Sequence, residues 1–190
     1  MGIKLMKTMK ILRPAFMCFL IMSILCGVIY TAAVTGIAQL IFPIQADGSI
    51  VTITLKDGTQ KEYGSALIAQ EFTGSEYMIG RPVGTTNLSP VSDEQKALVQ
   101  ERTDWLHSLD PDNTVDIPMD LVTASGSGVD PNITPEAAEY QVTRLARERG
   151  ISKDEVRAII SKYTTGRLLG IWGEPAVNVL KVNLALDGLL

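Results

Sequence analysis

The chain has 190 residues, 17 basic and 21 acidic, for a formal charge of −4. The charges are segregated: residues 1–43 hold Lys4, Lys7, Lys10 and Arg13 and no acid, whereas the remainder carries 13 basic and 21 acidic side chains, a formal −8. An acidic domain repels a phosphate backbone, so no nucleic-acid partner is expected, and both cysteines, Cys18 and Cys26, precede it, so no disulfide staples it.

Residues 1–13 read as a basic arm. From Pro14 to Ala46 no side chain is charged. A helix over 14–38 would be about 37 Å long at ~1.5 Å per residue, against a bilayer core of ~30 Å, so this stretch is expected to span a membrane. It exceeds the ~7–15-residue apolar core of a cleaved signal peptide. No Ala-x-Ala site follows it, and Leu25 rather than a small residue precedes Cys26, which argues against a lipoprotein. The pattern is that of an uncleaved signal anchor in a cell (inner) membrane, crossing once. The basic arm is expected in the cytoplasm and the acidic domain outside. Within the span, Gly27, Thr31 and Thr35 recur every four residues with Ala32 and Gly36 beside them, which would let a partner helix approach closely.

Residues 39–49 are expected as a juxtamembrane turn and 50–190 as one extracytoplasmic α+β domain. Ile50–Leu55 and Gln60–Tyr63 predict a hairpin about Asp57-Gly58. Gly64–Phe72 has an apolar centre whose state the pattern leaves open, and 81–90 is loop. Ser92 with Gln95 predicts a capping box ahead of a helix over 93–108 that buries Leu98, Val99, Trp105 and Leu106. Ile117–Thr123 reads as a short strand. Thr134 and Pro135 open a helix that Gly150 closes. Ser152 and Glu155 predict a second capping box and a helix to about Tyr163. Alternating Leu180, Val182, Leu184 and Leu186 predict a last strand.

Tests for chemistry fail one by one. The loop Leu121–Gly128 has the Ser/Gly character of a phosphate cradle, but no lysine or arginine lies between Gly126 and Glu136. Pro131 breaks the dinucleotide pattern, and no Gly precedes Ser125 or Ser127 at elbow spacing. The single histidine, His107, falls in an amphipathic helix. One His and no cysteine in the domain argue against zinc, and Val115 and Leu121 replace the Gly and Glu that a calcium loop starting at Asp110 needs. The acids Asp110, Asp112, Asp116 and Asp120 read as a solvated linker. The loop itself reads as packing or partner docking, with an anion at the helix start as the alternative.

The chain also resembles the C-subunit (KdpC) family of the Kdp-type potassium-transporting ATPases of bacteria and archaea. Arg13-Pro14, Phe42-Pro43, Gln45–Ser49, Gly64–Ile68, Arg81-Pro82 and Asn87–Pro90 carry the resemblance, followed by Asp120–Gly128, Asp130-Pro131, Pro135–Ala138, Gln141-Val142, Gly173–Pro175, Val177–Leu180 and Asn183–Asp187. It departs in a shorter stretch between Pro82 and Asn87, and in Ser89, Val129 and Asn132, where glycine, leucine and histidine are usual.

The resemblance implies a subunit with no active site and no cofactor of its own. ATP and potassium would be handled by the complex: a channel-like potassium-binding subunit, a P-type ATPase subunit and a very small hydrophobic subunit, with membrane lipid around the span. This subunit would be needed for assembly and transport. The family has been proposed to act as a catalytic chaperone that raises the ATPase subunit's affinity for ATP, which would put Ser125, Gly126, Ser127, Gly128 and Gln141 near nucleotide. Topology opposes this, since ATP is cytoplasmic and the loop is expected outside. The favoured reading is a domain capping the outer mouth of the channel-like subunit, stabilising it or enriching cations there through Asp110, Asp112 and Asp116. The competing classes are a signal-anchored extracytoplasmic binding module unrelated to transport, and a stand-alone hydrolase, which lacks a base and a nucleophile.

Overall fold

A computed structural model describes residues 2–190, with residues 2–9 described by their backbone alone. The chain divides after Ser49 into two units.

The first unit is helical from α1 (Gly2–Ile24) through a π-helical stretch (Leu25–Tyr30) to α2 (Thr31–Ile41). The expected arm is thus helical too, and Pro14 lies inside the helix. Lys10–Ile41, 32 residues with a mean hydropathy of 2.3, is long and apolar enough to cross a membrane. In the π stretch one residue is added to the turn, and the Thr31 hydroxyl donates to the Cys26 carbonyl five residues back at 3.1 Å. Gly27, Thr31, Ala32, Thr35 and Gly36 are all exposed on this rod, and nothing lies within 4 Å of a Cβ built at Gly27 or Gly36. Pro43 ends the helix by pushing Phe42 out of the α region. Residues 39–49 are the end of α2, one helical turn (α3, Pro43–Ala46) and a tight bend at Gly48-Ser49, rather than turn alone.

The second unit is α+β. Its hairpin pairs β1 (Ile50–Thr54) with β2 (Gln60–Ser65) about the expected Asp57-Gly58 turn, with a bulge between Ile50 and Thr52. A second sheet has the order β3 (Asn132–Ile133), β5 (Ala176–Asn178), β4 (Thr164–Thr165), all antiparallel. The helices are α4 (Asp93–Leu109), α5 (Met119–Val122), α6 (Pro135–Tyr140), α7 (Val142–Arg149), α8 (Lys153–Lys162) and α9 (Val179–Leu186). Met78, Leu121, Val142, Leu145, Val156, Val177 and Val182 are wholly buried at the centre. Each such side chain contributes about 1.5–3 kcal/mol of hydrophobic stabilisation.

Four local expectations are corrected. The run 180–186 is helix, not strand. Asn178 caps it by accepting from Lys181 N, and the buried set Val179, Leu180, Val182, Asn183 and Leu184 covers a helix face. Ile117–Thr123 is no strand either: Met119–Val122 makes one helical turn, closed by the Thr123 hydroxyl on the Met119 carbonyl at 2.8 Å. The helix from Thr134 to Gly150 breaks at Gln141. There the side-chain amide takes the Ala137 carbonyl at 3.1 Å, and the backbone N–H turns to Ala138 instead. The capping box at Ser92 is half-formed: Ser92 accepts from Gln95 N, but the Gln95 side chain accepts from Thr86, and Ser92 N donates to Ser89.

At α8 both arms of the box close, Ser92's counterpart being Ser152 and the return arm Glu155. The backbone and hydroxyl of Ser152 hold the Glu155 carboxyl below the usual carboxylate range. A depressed folded pKa contributes stability above the unfolded value and loses it as the pH falls through the folded one. Glu155→Ala should therefore lower the denaturation midpoint at neutral pH, and the gap to wild type should narrow below about pH 4.3. Paired guanidinium titrations at pH 7 and pH 3.5 check this; a gap independent of pH would refute it.

Candidate functional site

The segment Phe72–Pro82 forms neither helix nor strand, yet Met78 and Ile79 are buried. Buried backbone groups need partners, and here they come from side chains. Asn183, on α9 and 1% exposed, accepts from Met78 N at 2.7 Å and donates to Met78 O at 2.9 Å. Gln141, at the α6–α7 break and equally buried, does the same for the next residue: Ile79 N at 2.7 Å and Ile79 O at 3.0 Å. Each amide replaces one rung of a missing strand. Arg144 of α7 donates to the Ser75 and Tyr77 carbonyls and to Gln141 Oε1. Arg149 donates to Glu76 O at 2.8 Å and lies over the Tyr77 ring at 4.9 Å. Burial pushes the pKa of Arg144 down, opposed by the Asp110 and Glu148 charges, but a guanidinium keeps its proton.

The segment leaves this clamp at Arg81, whose guanidinium bonds Asp120 Oδ1 at 2.7 Å. The other Asp120 oxygen accepts from Thr134 N at 2.7 Å, tying α5 to the cap of α6. Arg81, Gln70, Phe72, Trp105, Arg102 and Leu121 line a cavity of about 260 Å³. Both arginines in it are already engaged, Arg102 by the Val122 carbonyl at 2.8 Å.

The Ser/Gly loop folds on itself. Ser125 Oγ accepts from Gly128 N at 3.0 Å and sits 3.3 Å from Ser127 Oγ, and Ser127 Oγ accepts from Val129 N at 3.3 Å. Gly84 N donates to Gly128 O at 2.8 Å and Ala69 N to Val129 O at 2.8 Å, so the loop is laid against two earlier segments. Gly126 and Ser127 are exposed, Ser125 half-buried and Gly128 buried. Gly128 has φ +71°, and a Cβ there would come within 2.8 Å of the Gly84 carbonyl carbon. Gly128→Ala should destabilise the domain by about 2 kcal/mol, since a left-handed non-glycine residue costs ~1–3 kcal/mol before the clash is counted. Thermal unfolding checks it; an unchanged midpoint would show that the loop is free to move.

Gln141 is not brought to the loop as a ligand group. Its bonds to Ile79, Ala137 and Arg144 use both amide hydrogens and both acceptor positions. The acidic stretch is not a solvated linker throughout. Asp110 is 3% exposed and bonded to Arg147 at 2.8 Å, and Asp120 is the hub described above; Asp112 and Asp116 are exposed. Asn113 adds a strap by donating to Tyr140 O at 3.1 Å. Asn132 opens β3 opposite Asn178, its N–H donating to Asp130 at 3.0 Å. His107 is exposed in the last turn of α4. Among the described residues, no group of three or more His, Cys, Asp or Glu stands close enough to hold a metal.

Asn183, Arg149 and the Asp120–Arg81 pair were missed as key residues. A lone Asn in the apolar run 179–186 was the available signal. What this arrangement does chemically is supply hydrogen-bond partners to the backbone of an irregular segment.

Comparison with known proteins gives a consistent result. The family model described as KdpC, K+-transporting ATPase, c chain, matches residues 12–188. A potassium-transporting ATPase KdpC subunit of Listeria monocytogenes is 55% identical over 184 residues, covering 95% of this chain and 97% of that one. The KdpC subunit of Clostridium perfringens is 47% identical, covering 96% and 99%, and that of Clostridium botulinum 44%, covering 97% and 100%.

Proposed function

Because the chain belongs to the KdpC family of K+-transporting ATPase c chains, we propose that it is a membrane-anchored, non-catalytic subunit whose domain braces a potassium-transporting complex from outside the cell membrane. The chain is an accessory potassium-transport subunit with one candidate N-terminal span. In this reading the span joins the membrane part of the complex, with Gly27, Thr31, Ala32, Thr35 and Gly36 against a partner helix. The domain caps the outer mouth of the channel-like subunit, and the P-type ATPase subunit and the small hydrophobic subunit complete the complex.

The observation that carries a bracing role is the use made of the loop's polar groups. The hydroxyls of Ser125 and Ser127 and the amide of Gln141 bond within the domain, so their geometry supports a scaffold over a nucleotide contact. The basic residues Lys4, Lys7, Lys10 and Arg13 support the outward placement. Asp110 does not enrich cations, because it is buried and Arg147 neutralises it.

A single exposed cysteine tests the placement. In a Cys18→Ala, Cys26→Ala background, Ser127→Cys should react with a membrane-impermeant maleimide on intact cells. Protection until lysis would overturn the outward placement and revive contact between the loop and cytoplasmic ATP.

A further inference from the structure

Between β4 and β5 the chain makes another hairpin, and its tip is apolar. Leu168 N donates to Trp172 O at 2.7 Å and Trp172 N to Leu168 O at 3.0 Å. Leu169 and Gly170 both take positive φ, +54° and +75°. A leucine adopts that conformation at an energetic penalty, so the turn is held by its paired flanks. Leu168, Leu169, Ile171 and Trp172 are 66, 79, 73 and 65% exposed. No charged residue lies between Arg167 and Glu174, and those two neutralise each other at 2.7 Å. The hairpin is therefore amphipathic along its length, with four large apolar side chains at the tip and an ion pair at the base. Such a cluster is too apolar to face water without a purpose.

The chain itself identifies what covers it. The candidate span ends at Ile41 and β1 begins at Ile50, so eight residues join them. Fully extended they would reach about 29 Å at ~3.6 Å per residue, and residues 43–46 are helical, which shortens the link. A link of that length keeps the start of β1 within about 29 Å of the end of the candidate span. Tryptophan with leucine and isoleucine is the composition that the membrane–water interface accepts, with an ion pair left at headgroup level. We propose that the Leu168–Trp172 tip inserts into the interfacial layer of the bilayer that holds the span, as a second, non-covalent anchor. The proposal rests on reading residues 10–41 as that span.

The test uses the full chain in liposomes. The chain has two tryptophans, so Trp105→Phe leaves Trp172 as the only one. In lipid brominated on its acyl chains, Trp172 emission should fall more than twofold relative to unbrominated lipid. Adding Leu169→Ser and Ile171→Ser should abolish that quenching while the protein stays with the membrane through an alkaline carbonate wash. A chain retained by the wash whose Trp172 is unquenched by bromine and fully quenched by aqueous acrylamide would overturn the anchor and leave the span intact. Shielding from acrylamide without bromine quenching, seen only in the assembled transporter, would overturn it in favour of a protein partner. Release of the chain by carbonate would remove the span and the anchor together.

Discussion

Replacing Asn183 with leucine should destabilise the domain by about 3–5 kcal/mol, the largest effect expected of any single polar substitution in it. The two side chains have similar volume, so packing changes little. What is lost is both partners of Met78, which is 0% exposed and has no access to water. Each backbone group left unsatisfied in such a place costs ~1–3 kcal/mol. Against a total stability of ~5–15 kcal/mol for a domain, this removes a fifth or more. Guanidinium unfolding of the detergent-solubilised protein measures it directly. A wild-type midpoint would mean that Met78 finds other partners and that the side-chain rungs are dispensable.

Gln141→Leu should cost nearly as much, about 3–4 kcal/mol by the same reckoning for the Ile79 N–H and carbonyl. It also strips Arg144, a buried cation, of one acceptor. Limited proteolysis should then cut first within 72–82, because that segment has no secondary structure to protect it. Together the two substitutions should fall short of additivity, since Met78 and Ile79 are neighbours in one strip and releasing either loosens the other. The experiment also separates two roles for this residue. A substitution at Gln141 that lowers the ATP affinity of the assembled complex while leaving the unfolding midpoint unchanged would assign it to nucleotide. A shifted midpoint with unchanged affinity in the surviving complex would assign it to the clamp.

The long apolar helix, the hairpin about Asp57-Gly58 and the capped start of α8 were legible because each carries a local signature. Apolar length, an Asp-Gly turn, and Ser152 with Glu155 all act over fewer than six residues or over one uniform run. The failures have a common physical origin. α9 is buried on most of its surface, so leucine and valine occur at strand and helix spacing alike; only Asn178 as a cap and Gly188 beyond the end favour helix. Polarity misled in the same way. Asp110, Asp120, Gln141 and Asn183 look like surface residues, yet all four are buried or half-buried and bonded to groups far along the chain. No periodicity encodes that, because the partner of each is a backbone atom or an ion set in place by the tertiary fold. The Ser/Gly loop was half-legible: its composition marked it as a loop, but the close approach of Gly128 to Gly84 depends on a segment 44 residues earlier.

The clamp also fixes the order in which the domain can form. Its bonds join residues 62 to 105 positions apart, from the middle of the chain to its last helix. During synthesis the hairpin and the segment 72–82 emerge early and must wait, their backbone still hydrated, until residue 183 has been made. Contacts of such long sequence separation close slowly. A chain interrupted before α9 would keep Met78 and its neighbours open to proteases, so completion of the polypeptide doubles as a checkpoint on its survival.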